Sequence, residues 1–321
     1  MALKDSPELS RATCVRVQEL ARQLEYTPNE AATKLATGRS GMLGLVYTRH
    51  GSAFNARILD ALDHWAYQEG RYFNSLMTYS TRNRTELMEN LLRRILQGRL
   101  VDGLIVASQL PSAQTIKDFA SRRLPLVLLE TASDRTHSVR VDNSIGVEAA
   151  VRHLKNTGRR KIGLVCGRTT PLPGQDPSRA SKDRFTAFRR AMETLDLPLI
   201  ANGVSEVLEF DPQEGRDALD YLLENCKGLD AVFCAAGDNV AAGVHAQARK
   251  RGLKIPDDLA LIGYDDQPIA GLLSPRLTTV RQPLLEMAGH AWETLLQAID
   301  TPDMPPRSVV LEPELVLRET T

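Results

Sequence analysis

The sequence predicts an α/β fold in which two doubly wound parallel-sheet lobes form a hinged clamshell. From Gly41 onward, short continuous apolar runs alternate with helical patterns, as expected for buried parallel strands and their crossover helices. This alternation occurs in two successive halves. After Asp266 the chain holds an extended segment, a long helical pattern and a strand-like tail. The chain therefore returns between the lobes more than once, and a ligand cleft is expected between them.

Length and composition limit the classes of protein to consider. The chain has 321 residues, enough for two lobes and an additional segment. Its 40 basic and 40 acidic residues balance, so any contact with DNA must come from a local element. The four cysteines are scattered and have no neighbouring histidine, and we predict no metal site, no disulfide framework and no cofactor. No apolar run reaches the roughly 18 residues of a membrane span, and no secretory signal is visible, so we expect a cytoplasmic protein.

The elements follow from the apolar periodicity. Predicted strands lie at residues 41–48, 72–80, 102–108 and 125–130 in the first lobe, and at 161–167, 204–210, 231–238 and 259–266 in the second. The predicted helices are Ala56 to Glu69, Thr85 to Gln97, Ala113 to Arg122, Val147 to Asn156, Asp183 to Leu195, Pro212 to Asn225 and Asn239 to Arg251.

We place the join between the lobes near residues 156–161, where a glycine follows a helix and a strand begins. The predicted first lobe is therefore residues 41–158 plus 281–302, and the second is residues 159–280 plus 303–321.

A different element precedes Gly41. Ser10 is placed to cap an amphipathic helix whose apolar positions are Val15, Leu20 and Leu24. After a Pro-Asn turn comes a short run of small and polar residues with one leucine. A helix shorter than roughly 12 residues is marginal in water, so this run needs a partner.

Seven segments, taken in order, resemble the lac repressor and galactose repressor family of bacterial transcription regulators: LEYTPNEAATKLATGRSGMLGLV, VDGLIVAS, VRVDNSIGVEAAVRHL, KDRFTAFRRAME, AAGDNVAAGV, IPDDLALIGYDD and SPRLTTVRQP. The resemblance covers nearly the whole chain. It implies a periplasmic-binding-protein-like clamshell and a ligand-responsive repressor that works as a homodimer. Its partners would be operator DNA and a small-molecule effector, expected to be a sugar or sugar derivative.

The resemblance also implies a hinge helix that folds in the DNA minor groove and inserts a leucine between base pairs. The DNA-binding hinge positions would be Asn29 as the cap, Ala32 and Thr33 within the helix, and Leu35 as the wedge. Otherwise this run is a linker helix whose leucine packs on the adjacent lobe. Family members carry two further helices ahead of the third. We therefore expect residues 1–28 to hold a partial helix-turn-helix head, and residues 29–40 the hinge helix and linker.

The family's effector site maps onto residues of both lobes. The predicted effector-binding residues are Ser52, Phe54, Asn55, Glu130, Asp142, Arg184, Phe210, Asp238, Asp265 and Gln282. Asp265 ends an apolar strand, where open α/β sheets bind ligands, and Asp266 stands beside it as a spare. Other readings stay open: Asp142 and Asp238 could simply cap helices, Arg184 could belong to a solvated face, and the two phenylalanines could be core.

Two other classes of protein are weighed against the repressor. An enzyme is disfavoured because the sequence contains no phosphate-binding glycine motif, no His-Glu-x-x-His and no nucleophile elbow. A solute-binding protein of a sugar transporter would share the fold, but the hinge element and the absence of a signal sequence argue against it.

Overall fold

The computed structural model describes residues 10–24, 26, 38–70, 72 and 75–321. Residues 1–41 and 42–321 form two separate compact units. In the first unit, helix α1 spans Arg11–Gln23, and Ser10 caps it by accepting a hydrogen bond from the Thr13 backbone at 3.2 Å. Its predicted apolar positions Val15, Leu20 and Leu24 are exposed. The predicted hinge residues Asn29, Ala32, Thr33 and Leu35 lie outside the described residues.

The second unit is α/β throughout. Its strands are β1 Leu43–Tyr47, β2 Leu76–Ser80, β3 Gly103–Ala107, β4 Leu126–Leu129, β5 His137–Val141, β6 Ile162–Gly167, β7 Val204–Val207, β8 Ala231–Cys234, β9 Ala260–Tyr264, β10 Thr278–Arg281, β11 Ser308–Leu311 and β12 Glu314–Val316. Its helices are α2 Ala53–Glu69, α3 Thr85–Gly98, α4 Ala113–Ser121, α5 Asn143–Asn156, α6 Arg179–Thr194, α7 Pro212–Asn225, α8 Asp238–Lys250, α9 Pro268–Leu272 and α10 Leu284–Asp300.

The first lobe is a parallel sheet in the order β11-β5-β4-β3-β1-β2. Helices α2 and α10 pack on one face, where Leu62 and Met287 share a core. Helices α3 and α4 cover the other face through Leu92 and Phe119. Since both faces are buried, the central strands are continuous apolar runs.

The second lobe repeats this architecture with strand order β12-β10-β9-β8-β6-β7, all parallel except for β12. Helices α5 and α6 pack on one face through Val151 and Phe188. Helices α7 and α8 and residue Ala270 of α9 cover the other face. Two doubly wound lobes are thus present, and the predicted fold class is confirmed.

The chain passes between the lobes three times. The crossings follow β5 at Asp142, β10 at Gln282 and Pro283, and β11 at Glu312 and Pro313. The three crossings lie side by side. Gly146, just after the first crossing, is so close to the other two that a Cβ atom built on it would be 2.6 Å from Val280 Cγ1 in β10 and 2.9 Å from Pro313 Cγ. The two lobes are therefore joined by three neighbouring crossing segments, as in a hinged clamshell.

The lobe boundaries differ from those expected. The first crossing is at Asp142 rather than near residue 158, because α5 packs against the second sheet although it follows a strand of the first. The tail is also divided: β11 pairs with β5 in the first lobe, and only β12 joins the second. Both differences concern which sheet an element joins, and hydrophobic periodicity does not report that choice.

Helix α5 begins at Asn143, one turn before the predicted start, and strand β5 was not predicted. The β5 sequence HSVRV alternates polar and apolar residues, so it lacks the apolar run that identified the other strands. Its polar side chains are bonded instead: His137 Nδ1 accepts from the Arg307 backbone at 3.1 Å, and the hydroxyls of Ser138 and Ser308 lie 3.2 Å apart.

In the part of the chain that the structure describes, we find no helix that combines the length and the apolar character needed to cross a membrane.

Candidate ligand-binding site

A cavity of about 510 Å³ lies between the lobes at the carboxyl ends of the parallel strands. Seven of the ten predicted effector residues line it: Ser52, Phe54, Asn55, Glu130, Arg184, Phe210 and Asp265. Other lining residues include Arg49, Arg82, Ser108, Glu209, Asp211, Asn239 and Gln267. This is the position where open α/β sheets bind ligands.

The first-lobe wall is the loop that leads from β1 into α2. Ser52 caps α2 by accepting from the Asn55 backbone at 3.3 Å. The buried amide of Asn55 donates to Thr48 Oγ1 at 3.1 Å and to the Arg49 carbonyl at 3.0 Å. These bonds fix the loop, so Asn55 mainly shapes the wall. Phe54 also lines the cavity and packs against the first-lobe core.

Glu130 and Ser108 end neighbouring strands, β4 and β3, and the Ser108 hydroxyl donates to the Glu130 carboxylate. Burial raises the pKa of Glu130 to about 7, although the positive charge of Arg184 and the Ser108 bond act to lower it. The Glu130 carboxyl group therefore changes charge near neutral pH.

Arg184 is held rigidly in the second lobe. Its Nε donates to Asn143 Oδ1 at 2.9 Å, and its Nη1 donates to the Ala235 carbonyl at 3.0 Å. Its guanidinium carbon lies 3.7 Å from the centre of the Tyr264 ring, and the Tyr264 hydroxyl donates to Asn143 Oδ1 at 2.9 Å. With its planar group fixed in this way, Arg184 is not part of a solvated face.

Asp265 lies on the same wall as Arg184. Its Oδ1 accepts from Gln282 Nε2 at 2.6 Å and lies 3.9 Å from Arg184 Nη2. Gln267 Nε2 is 3.5 Å from Asp265 Oδ2. Gly237 lies directly against this carboxylate, since a Cβ there would be 3.1 Å from Asp265 Oδ2. The carboxylate is thus oriented by amide donors at the cavity wall.

Phe210 lies in the loop after β7, in the second lobe, and also lines the cavity. The carboxylate of Glu214 accepts from the backbone N–H groups of Leu208, Glu209 and Phe210 at 2.7 to 2.8 Å. This fixes the loop that presents the half-exposed Phe210 ring to the cavity. In the same loop, Glu209 forms an ion pair with Arg49 of the first lobe.

The structure places Asp142, Asp238 and Gln282 away from the cavity lining. Asp142 caps α5 by accepting from the Ser144 backbone at 3.0 Å. Asp238 is fully buried and accepts from Thr279 Oγ1 and from the Gln267 backbone, each at 2.7 Å; burial raises its pKa to about 8. Gln282 is buried and reaches the cavity through Asp265. Asp142 thus caps a helix, as its alternative interpretation proposed. Asp238 does not: the N-cap of α8 is Gly237, which makes no side-chain cap bond, and the Asp238 carboxylate instead ties the start of α8 to β10 and to the loop after β9.

Backbone strain is concentrated at the cavity. Eleven described non-glycine residues have positive φ, and six of them line the cavity: Arg82, Asn83, Ser108, Glu130, Phe210 and Asp265. Such conformations persist only where the surrounding structure holds them, and they cluster at ligand sites. Ser108 and Gln267 were not predicted as site residues, although Ser108 ends the family segment VDGLIVAS and Gln267 directly follows IPDDLALIGYDD. Their position next to a strand end was the signal that could have identified them.

Among the described residues, no group of three or more His, Cys, Asp or Glu side chains is placed to hold a metal ion. The fold and the cavity together define a class: two-lobed α/β proteins with a cavity between two parallel sheets.

Comparisons with known proteins identify the family within this class. Residues 151–321 match the periplasmic binding protein-like domain family. Over 312 residues the chain is 30% identical to the HTH-type transcriptional repressor PurR of Actinobacillus pleuropneumoniae, covering 96% of this chain and 89% of that protein. It is 29% identical to the ribose operon repressor of Haemophilus influenzae over 307 residues, which are 95% of this chain and 88% of the relative.

Two solved structures of transcription regulators have a similar fold. The CelR–cellobiose complex, a transcriptional regulator, superposes with a TM-score of 0.77 at 25% identity and covers 100% of this chain and 94% of that one. A LacI family regulator from Enterococcus faecium with bound ribose gives 0.71 at 23% identity, covering 87% and 98%. The chain belongs to the lac repressor and galactose repressor family of transcription regulators, as the sequence motifs predicted. Its relatives are repressors, so the prediction that it is not an enzyme is confirmed.

Proposed function

We propose that the protein is a ligand-responsive transcriptional repressor that senses a sugar or sugar derivative in the interlobe cavity. The observation that carries the proposal is that the strand-end carboxylates of Asp265 and Glu130 and the aromatic rings of Phe54 and Phe210 all line one cavity. Carboxylates accept hydrogen bonds from adjacent hydroxyls, and aromatic faces cover the apolar side of a sugar ring. The relatives solved with cellobiose and with ribose support the same ligand class.

Each residue has a distinct part in this proposal. Asp265 and Glu130 receive ligand hydroxyls, and Arg184 is the fixed fork that orients Asp265 and the ligand together. Ser52 and Asn55 shape the first-lobe wall. Gln282 acts through Asp265, while Asp142 and Asp238 stabilise the second lobe.

Ligand binding between the lobes is proposed to shift their relative rotation and so bias the affinity of a homodimer for operator DNA. The DNA-binding roles of Asn29, Ala32, Thr33 and Leu35 remain predictions, as does the cytoplasmic location. Light scattering at micromolar concentration tests the assembly: a dimer is expected, and a monomer or a tetramer would contradict it.

A thermal-shift screen tests the ligand class. The panel contains mono- and disaccharides, including ribose and cellobiose, with nucleobases as the competing class. A true effector at a hundred times its dissociation constant adds about 2.7 kcal/mol of stability. Stabilisation by a nucleobase and by no sugar would reject the sugar assignment. Stabilisation that persists in Asp265→Ala would place the ligand elsewhere.

A further inference from the structure

We infer that Arg57, which is not among the lining residues of the cavity, positions the Asp265 carboxylate and links it to the first lobe. Arg57 lies in α2 of the first lobe, and its Nη1 donates to the Asp265 carbonyl at 2.7 Å and to the Asp266 carbonyl at 3.0 Å. Both acceptors belong to the second lobe. The inference rests on the proposed function, because it assigns a role to the residue that holds the proposed ligand-binding carboxylate.

The backbone that Arg57 holds is strained. Asp265 has φ 92° and Asp266 has φ 48°, and positive φ is uncommon for non-glycine residues, so the surrounding contacts must hold this turn. Strand β10 holds this turn from one side, since the Asp265 N–H donates to the Val280 carbonyl at 2.7 Å. Arg57 holds the carbonyl side with a charged donor, which makes stronger hydrogen bonds than a neutral one.

The geometry links this backbone to the cavity. The Asp265 carbonyl carbon and Cβ are bonded to the same Cα atom. Relaxation of the released backbone from its positive φ would redirect the Cα–Cβ bond and so move the carboxylate away from its donor Gln282. Helix α2 also carries Phe54, one turn before Arg57, at the cavity wall. One short segment of α2 therefore touches the cavity directly and sets the orientation of its key carboxylate.

A second interlobe contact provides a matched control. Arg49 of the first lobe forms an ion pair with Glu209 of the second, but their side chains are 42% and 45% exposed. Exposed pairs of this kind contribute little. Replacing Arg49 thus removes an arginine and an interlobe contact without releasing the Asp265 backbone.

The experiment compares Arg57→Met, Arg57→Lys and Arg49→Met with the wild-type chain. Hydrogen exchange of the segment around residues 264–267 is measured without added ligand. Titration calorimetry then uses the sugar that gives the largest thermal shift. We expect faster exchange in this segment and about tenfold weaker sugar binding for Arg57→Met. Arg57→Lys should lie between it and the wild type, since a lysine keeps a charged donor. Arg49→Met, whose residue lines the cavity, is compared in the exchange measurement alone and should show wild-type exchange.

Wild-type exchange in Arg57→Met would overturn the inference, as would equal effects of Arg57→Met and Arg49→Met on this segment. If Arg57→Met does not fold, Arg57→Lys carries the same comparison. The exchange measurement needs no ligand. Failure of every sugar to bind the wild type would therefore reject the proposed ligand class, while the exchange data separately decide whether Arg57 holds the Asp265 backbone.

Discussion

Asp265 and Asp266 are adjacent in sequence, yet their carboxylates have different structural roles. The Asp265 carboxylate lines the cavity, whereas that of Asp266 accepts from Arg281 Nε at 2.7 Å and from Arg318 Nη2 at 2.6 Å. Although burial acts to raise it, these two bonds hold the pKa of Asp266 below its usual range. Asp266 is therefore a structural anchor between β10 and the C-terminal tail, and not a spare ligand residue.

Substitution of the two aspartates separates binding from stability. Asp265→Ala should abolish ligand-induced stabilisation while the ligand-free protein stays folded. Asp266→Ala should lower the free energy of unfolding by about 2 to 3 kcal/mol, because two charged donors lose their acceptor, and should keep the ligand response. Urea unfolding and thermal shift measure the two effects. Equal loss of ligand response in both variants would contradict this division.

Arg184→Lys should weaken ligand binding by about tenfold or more, since a lysine cannot reproduce a planar fork that bonds two acceptors and stacks on an aromatic ring. Titration calorimetry measures the affinity. Arg190→Lys, on the exposed side of the same helix, is the control and should bind as the wild type does. A fully active Arg184→Lys would show that only the positive charge matters.

The raised pKa of Glu130 predicts a pH dependence of stability. Its pKa rises from 4.5 to about 7 on folding, so the folded state binds the proton more tightly than the unfolded state. The stability from this group is fully present below pH 4.5 and is lost as pH rises to about 7. The whole effect is of order 3 kcal/mol.

Urea unfolding of wild type and Glu130→Gln at pH 5, 6, 7 and 8 tests this. The stability difference between them should shift in favour of the variant as pH rises. Asp238, whose raised pKa acts in the same direction, is present in both proteins and cancels in the comparison. Parallel stability curves for the two proteins would show that Glu130 is not the titrating group.

Asp142→Ala should cost about 1 kcal/mol of stability, the usual value for a lost helix cap, and should leave ligand affinity unchanged. Chemical unfolding and calorimetry give the two numbers. Asp142→Asn retains a capping oxygen and is the matched control. A loss of affinity in Asp142→Ala without a loss of stability would return Asp142 to the ligand site.

The sequence predicted which residue types lie at the strand ends, but it did not predict how they are held. Glu130, Arg184 and Asp265 were identified because they end apolar strands or sit in a family motif. Arg57 and Tyr264 were not identified, because their parts depend on contacts between segments far apart in the chain. An arginine in the second turn of a helix looks like a solvated residue until the facing carbonyls are known.

For the fold, the sequence mainly failed to predict which of the two sheets a strand or helix joins. Strands with continuous apolar sequences, such as β3 and β8, were predicted correctly. Strand β5 was missed because its buried polar side chains are satisfied by a partner strand 170 residues away, as in the contact between Ser138 and Ser308. Whether the helix after β5 joins the first or the second sheet is decided by tertiary packing, here by the contacts of Val151 and Leu154 in the second-lobe core.

The late return of α10 and β11 to the first lobe has a consequence for biosynthesis. One face of the first sheet is completed by Met287, Trp292 and Leu295, and its edge by β11. A ribosome releases these residues only after the entire second sheet up to β10 has emerged. The lobe made first therefore cannot finish folding until nearly the whole chain has been made, and until then its nascent chain exposes an apolar face of the kind that chaperones protect.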